Sequence, residues 1–169
     1  KTAFGARLAY PNDIWDLGIT YKRIGDGFDP SLGFVPRTAA QIIQVNANYL
    51  PRPKGRVVGL RVRQMVNEFQ PRVVTDLNGR WESYRLFFAP INWRLESGDR
   101  FEFNLNPTGE RLVQPFTIAP GVTIPAGEYK WHRFRFEGGL APKRRLSGQL
   151  TWWTGPFYTG SLDEIILTS

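Results

Sequence analysis

The stretch WDLGITYK, residues 15–22, decides the fold class, because its apolar and polar side chains alternate strictly. Trp15, Leu17, Ile19 and Tyr21 share one parity, and Asp16, Gly18, Thr20 and Lys22 share the other. A side-chain period of two is that of a β-strand, whereas a helix repeats every 3.6 residues. The stretch therefore predicts a strand with one apolar face and one polar face.

The same alternation recurs outward along the chain, in residues 43–49, 58–63 and 100–105. It predicts about nine strands, bounded by turn-forming residues. They fall near 3–10, 13–24, 38–50, 56–69, 80–95, 100–112, 127–140, 145–154 and 161–168. The chain, residues 1–169, is accordingly predicted to be a single all-β domain, an antiparallel up-and-down meander.

Two of the predicted strands change phase. In 80–95, Leu86 and Phe88 lie on one parity and Ile91 and Trp93 on the other, with Pro90 between them. A β-bulge at Pro90 would account for the slip. In 127–140, the rings at positions 129 and 131 and those at positions 134 and 136 also lie on opposite parities.

The predicted connections alternate between short and long. The short ones are 11–13, 51–55, 96–99 and 141–144, and the long ones are 25–37, 70–79, 113–126 and 155–160. In an antiparallel meander, all short connections would then lie at one end of the sheet. That polarity, with Trp and Tyr at strand ends, is typical of outer-membrane β-barrels. A soluble β-sandwich or jelly roll, with the rings packed between two sheets, is the alternative.

Composition narrows the function classes. The chain has no Cys and a single His, His132, so thiol chemistry and thiolate metal sites are excluded. No nucleophile-elbow pattern surrounds any Ser, and we expect no catalytic residues, no metal and no cofactor. The net charge of +7 comes from dispersed basic residues without a nucleic-acid-binding motif, so nucleic acid is not expected as a partner.

Three stretches resemble a bacterial family. The first is residues 24–37, IGDGFDPSLGFVPR; the second runs from 97–100 through 110–112, 115–116 and 124–129; the third is 145–148 followed by 155–160. They are similar to an outer-membrane β-barrel domain of unknown function that follows a family-9-like carbohydrate-binding domain in large surface proteins. The motif loop of that family corresponds here to Asp29, Pro30, Gly33, Phe34, Pro36 and Arg37.

The resemblance implies a location in the bacterial outer membrane, with membrane lipid as a partner and carbohydrate as a further candidate. The family barrel continues for several strands past the equivalent of Ser169 and is preceded by another domain. Single-chain bacterial barrels normally have an even number of strands, and nine is odd. The resemblance and the strand count therefore imply a segment of a longer barrel, completed by the rest of that barrel or by another chain.

Two functions follow from these alternatives. The first is a non-catalytic barrel segment that serves as pore, anchor or surface scaffold. The second is a secreted or periplasmic β-sandwich that binds carbohydrate, because sugar faces stack on aromatic rings and carboxylates accept hydroxyl hydrogen bonds. The candidate ring platform for that second function is Trp152, Trp153, Phe157 and Tyr158, near Asp163 and Glu164.

Overall fold

The computed structural model describes residues 2–29 and 37–169, which form strands and turns without a helix. The strands are β1 (Ala3–Tyr10), β2 (Trp15–Ile24), β3 (Ala40–Tyr49), β4 (Arg56–Val57), β5 (Leu60–Met65), β6 (Asn67–Asp76), β7 (Trp81–Leu95), β8 (Arg100–Leu112), β9 (Phe116–Ala119), β10 (Val122–Ile124), β11 (Gly127–Leu140), β12 (Gly148–Thr154), β13 (Pro156–Phe157), β14 (Gly160–Ser161) and β15 (Glu164–Thr168).

Nine strands follow one another across a single antiparallel sheet, in the order β1-β2-β3-β6-β7-β8-β11-β12-β15. The all-β class and the meander order predicted from the sequence are confirmed. β5 adds to the sheet by pairing with the end of β7, while β9–β10 and β13–β14 form separate two-stranded sheets. Among the described residues, no pairing joins β1 to β15, so each has one hydrogen-bonded neighbour.

Cross-strand register places the apolar residues of successive strands on one face. Ile19 pairs with Leu8 of β1 and with Val45 of β3, and Phe103 pairs with Ile91 and Phe136. We call this side the outer face. The inner face is the opposite side, which carries Asn104 and Glu137. Because the side-chain period is two, one register fixes both faces along each ladder.

The predicted strand 56–69 and the predicted loop 70–79 are both wrong. Residues 56–65 form a small hairpin whose turn is Val58–Gly59, with φ of 47° and 79° at these two residues. Glycine adopts such a φ readily, so Gly59 suits a tight turn better than a strand interior. The sheet strand is instead β6, which continues through most of the region expected to be loop.

Pro71 explains why β6 looked like a loop. Proline has no N–H to donate and is usually found at strand edges or bulges. Here it lies inside the sheet, opposite Leu86 of β7, and the β3–β6 ladder is interrupted between Gln44–Arg72 and Ala47–Phe69. The missing donor therefore accounts for a gap of two residue pairs in this ladder, and the strand continues beyond it.

These changes also correct the predicted loop polarity. One end of the sheet, which we call the turn end, has the connections 11–14, 50–66, 96–99 and 141–147. The opposite end, which we call the loop end, has the connections 25–39, 77–80, 113–126 and 155–163. The 50–66 connection is long because it contains the β4–β5 hairpin, and 77–80 is a tight turn closed by Asp76. Strict alternation thus fails at two connections, one at each end.

The two phase changes have different causes. Between Phe88 and Ile91 the β7–β8 register shifts, which confirms the bulge predicted at Pro90. β11 has no shift in its register with β8 over its whole length. There the phase change arises because Tyr129 and Trp131 point to the inner face while Phe134 and Phe136 point to the outer face.

Candidate functional site

The inner face buries polar side chains rather than a large apolar core. Asn104 is 0% exposed and is the largest fully buried side chain among the described residues. Other buried polar residues are Asn92, Glu102, Asn106, Glu137 and Thr151. The buried apolar residues are mostly small: Ala40, Val62, Val66, Val74, Ala89, Ile124, Trp131 and Ala141. A soluble domain normally buries its large aliphatic and aromatic side chains first, and this sheet does not.

The outer face leaves its large apolar side chains open. Leu8 is 74% exposed, Ile19 46%, and Leu167 on the far edge strand 78%. Leu17 and Phe69 are also exposed, and Val45 and Phe103 are half-buried by neighbours on the same face. A continuous apolar face of this extent is normally covered by protein or by lipid.

Ion pairs hold the inner face together across β8, β11 and β12. The side chain of Glu137 is fully buried, and its carboxylate accepts hydrogen bonds from Arg100, Arg135 and Thr151. Arg135 also donates to Glu102 Oε1 at 2.9 Å, and Asn104 Nδ2 donates to that oxygen at 2.6 Å. Each buried carboxylate is therefore compensated by charge-assisted bonds from neighbouring strands.

A second polar ladder continues the network toward β2. Asp16 Oδ2 accepts from Asn46 Nδ2 at 3.0 Å and from Asn48 Nδ2 at 3.2 Å. Gln70 Nε2 donates to Asn48 and to Glu68, at 3.4 and 3.0 Å. Asn92 of β7 then donates to the other Glu68 oxygen. Asn92 is the cross-strand partner of Glu102, so polar side chains line the inner face from β2 to β12.

Aromatic rings lie near both ends of the outer face. At the turn end, Trp15 stacks on Tyr49 with ring centroids 4.4 Å apart, and Trp93 packs on Phe101 at 5.2 Å. Near the loop end, Trp81 packs against Tyr84, with centroids 5.8 Å apart. The aliphatic part of the outer face lies between these rings.

The structure separates the rings of the predicted carbohydrate platform. Trp152 lies on the outer face, where it pairs with Phe136 and donates its indole N–H to Asp163 at 3.1 Å. Trp153 lies on the inner face, with the guanidinium groups of Arg133 and Arg135 5.4 and 5.6 Å from its ring. These two adjacent residues therefore cannot stack on one sugar face.

Phe157 and Tyr158 belong to an aromatic cluster with Tyr129 and Trp131 at the loop end. The Trp131 centroid lies 4.7 Å from that of Tyr158 and 5.6 Å from that of Phe157. Tyr158, at a φ of 51°, donates its hydroxyl to Glu110, and burial together with that carboxylate raises the pKa of Tyr158 well above its usual range. The cluster packs the 155–163 connection against the inner face of β11. The sequence places Trp131 near a strand end and in a phase change, but it does not predict the contacts of Trp131 with Phe157 and Tyr158.

The predicted motif loop is described only in part. Pro30, Gly33, Phe34 and Pro36 lie outside the described residues, so their predicted role stays a prediction. Asp29 is exposed, and Arg37 forms an ion pair with Glu82, with Nη1 and Oε2 3.1 Å apart. Arg37 therefore links the 25–39 connection to β7.

Asp99 joins two connections at the turn end. Its carboxylate accepts the Ala141 N–H at 2.9 Å and the Ser97 hydroxyl at 2.8 Å, and Arg144 adds an ion pair. The Ala141 hydrogen bond, the Ser97 hydroxyl and Arg144 hold the pKa of Asp99 below its usual value. The ionised carboxylate thus fastens the 96–99 turn to the 141–147 connection.

We expect Asp99→Asn to weaken the dependence of stability on acid pH. Because folding lowers this pKa, the contribution of Asp99 is fully present above the unfolded-state value of about 3.9 and is lost as pH falls toward the folded-state value. Urea unfolding followed at several pH values below about 5 measures the slope. Glu96→Gln, at an exposed position in the same turn, is the matched control and should keep the wild-type slope. Equal slopes in all three proteins would contradict the role of Asp99.

Within residues 2–29 and 37–169, no group of three or more His, Cys, Asp or Glu side chains is arranged to hold a metal ion. Over the same residues, no helix has the length and apolar character needed to cross a membrane.

Comparison of the chain with protein-family models, with curated proteins and with solved structures gave no match. The resemblance of the three sequence stretches to the barrel domain therefore stays a prediction.

Proposed function

We propose that the chain is a non-catalytic segment of a bacterial outer-membrane β-barrel, serving as pore, anchor or surface scaffold. The observation that carries this proposal is the inversion of burial. The inner face buries Asn104 and Glu137, while the outer face exposes Leu8 and Ile19. In water, this outer face would be unfavourable at about 25 cal/mol for each Å² of apolar surface left uncovered. In hydrocarbon, it needs no protein cover.

The lengths of six of the nine strands in the meander support the same proposal. β2, β3 and β6 have ten residues each, and β7, β8 and β11 are longer. A tilted strand needs about 9–11 residues to cross a bilayer. The rings of Trp15, Tyr49 and Trp93 at the turn end and of Trp81 near the loop end suit the two membrane interfaces, because each has an apolar body and a polar edge.

The charges agree with a wet inner face. Arg100 and Glu102 lie on that face, where water and the ion pairs of Arg135 and Glu137 accommodate them. We do not extend the proposal to carbohydrate, because Trp152 and Trp153 point to opposite faces and Phe157 and Tyr158 are packed against Trp131.

The deciding experiment compares the folding of the purified chain with and without a membrane mimic. In nonionic micelles or phospholipid vesicles, we expect the chain to unfold cooperatively and its buried rings to give a near-ultraviolet circular dichroism signal. In detergent-free buffer, we expect the chain to aggregate. Vesicle-bound protein should also resist extraction by alkaline carbonate. A folded monomer in detergent-free buffer would overturn the proposal, because it would show that water tolerates the outer face.

A further inference from the structure

One row of the inner face is rich in arginine. It runs across six strands through directly paired residues, so its members lie side by side on one face. The members of this arginine row are Arg7, Thr20, Gln44, Arg72, Arg85 and Thr108. Lys22, two residues beyond Thr20 on β2, points to the same face.

Two cations of the arginine row lie side by side on neighbouring strands. Arg72 and Arg85 are direct cross-strand partners, an arrangement that is destabilising for like charges. Both are exposed, as are Arg7 and Lys22. In the part of the chain that the structure describes, the ion pairs involve other arginines, namely those at positions 37, 52, 100, 135 and 144. The row therefore carries positive charge that this sheet does not neutralise.

A cavity lies over the β1 side of the row. Its volume is about 890 Å³, within the usual range for ligand sites. Arg7, Lys22 and Arg72 line it together with hydroxyl and amide groups, and no carboxylate among the described residues does. A neighbouring cavity of about 400 Å³ continues past Arg72 to Arg85. Glu110, the carboxylate that lines the second cavity, accepts the Tyr158 hydroxyl.

We propose that the arginine row and Lys22 bind a polyanionic solute bearing phosphate groups. Arg72 and Arg85 clamp one phosphate between their planar guanidinium groups, which match its oxygens in a bidentate geometry. Arg7 and Lys22 hold a second anionic group. Three interstrand steps, about 14 Å, separate Arg7 from Arg72, so a solute with more than one charged group fits better than a single phosphate.

The inference concerns the inner face and does not depend on lipid at the outer face. Binding of an anion removes the Arg72–Arg85 repulsion, whereas an empty site retains it. Two observable consequences follow. The solute should stabilise the folded protein, and removing both arginines should weaken binding without weakening the fold.

The test is calorimetric titration of the full chain with tripolyphosphate at low salt, in nonionic micelles free of phospholipid. For Arg72→Gln/Arg85→Gln we expect affinity to fall by about tenfold or more. The matched control is Arg80→Gln/Arg145→Gln, which removes the same charge from two exposed positions in connections. Its affinity should change by about twofold or less, because distant exposed charges are largely screened.

Three results would overturn the inference. The first is that tripolyphosphate gives neither titration heat nor thermal stabilisation with the wild-type chain. The second is an equal loss of tripolyphosphate affinity in the two double variants, and the third is loss of folded structure in Arg72→Gln/Arg85→Gln. If Arg72→Gln/Arg85→Gln melts, without the anion, at or above the wild-type temperature, the result supports repulsion between Arg72 and Arg85 in the empty site. A second arm adds phosphatidylglycerol to the micelles, since a lipid headgroup shares the phosphate chemistry. Displacement of tripolyphosphate at equal phosphate concentration would assign the row to lipid rather than to a solute.

Discussion

Glu137→Ala is expected to lower the free energy of unfolding by about 3 kcal/mol, the lower part of the range for breaking a buried ion pair. The Glu137 side chain is fully buried between Arg100 and Arg135, and Thr151 donates to the same carboxylate. Alanine leaves both guanidinium groups without their shared acceptor. We place the effect in the lower part of the range because Arg100 and Arg135 keep 43% and 21% of their side-chain surface open to solvent. Urea unfolding in nonionic micelles measures the change.

Two further variants separate charge from packing at this position. Glu137→Gln keeps the shape and two hydrogen-bonding groups but loses the charge, so its stability should fall between those of the wild type and Glu137→Ala. Glu128→Ala removes a carboxylate from an exposed position of β11, where surface substitutions change stability by about 0.5 kcal/mol or less. Equal effects of Glu137→Ala and Glu128→Ala would show that the inner network contributes nothing beyond local strand propensity.

The sequence predicts the strands where alternation is uninterrupted. WDLGITYK appears in the structure within β2, and its alternating apolar residues lie on the outer face, as the period of two predicts. The change of phase on either side of Pro90 predicts a bulge, and the register shift between Phe88 and Ile91 confirms it. In each case the deciding information is local, within about ten residues.

The errors arise where one residue type has two common meanings. The predicted loop 70–79 contains Pro71, yet the strand passes through this residue with only an interruption in its ladder with β3. Gly59 fitted the polar parity of a strand, yet its positive φ belongs to a turn. Local sequence does not distinguish these meanings, because the answer depends on which neighbouring strand needs the backbone hydrogen bonds.

The composition of the inner face could not be predicted from the sequence, because it depends on strand register and on contacts between residues distant in the chain. No local pattern marks Glu137 as buried and Glu128 as exposed, because their burial depends on the face set by pairing with β8. Likewise, the contact between Trp131 and Tyr158 joins β11 to a distant connection. The predicted ring platform failed to assemble for the same reason, since adjacent positions 152 and 153 of one strand must point to opposite faces.

Ile19→Arg tests which solvent the outer face meets. Ile19 lies in the aliphatic part of that face, between Leu8 and Val45, and is 46% exposed. An arginine facing lipid near the bilayer midplane costs about 2–4 kcal/mol. We therefore expect Ile19→Arg to lower the free energy of unfolding from phospholipid vesicles by about that amount, measured by tryptophan fluorescence in urea.

Depth provides the matched control for this substitution. Tyr10→Arg changes an outer-face residue at the turn end, where an interfacial arginine costs about 0–1 kcal/mol because its guanidinium reaches water. If a hydrocarbon layer lies between the two ends that carry the rings, Ile19→Arg should lower the free energy of unfolding more than Tyr10→Arg does. In water both positions are exposed surface, and each substitution would change stability by about 0.5 kcal/mol or less. Equal, small effects in vesicles would therefore mean that lipid does not cover Ile19, and the barrel proposal would fail.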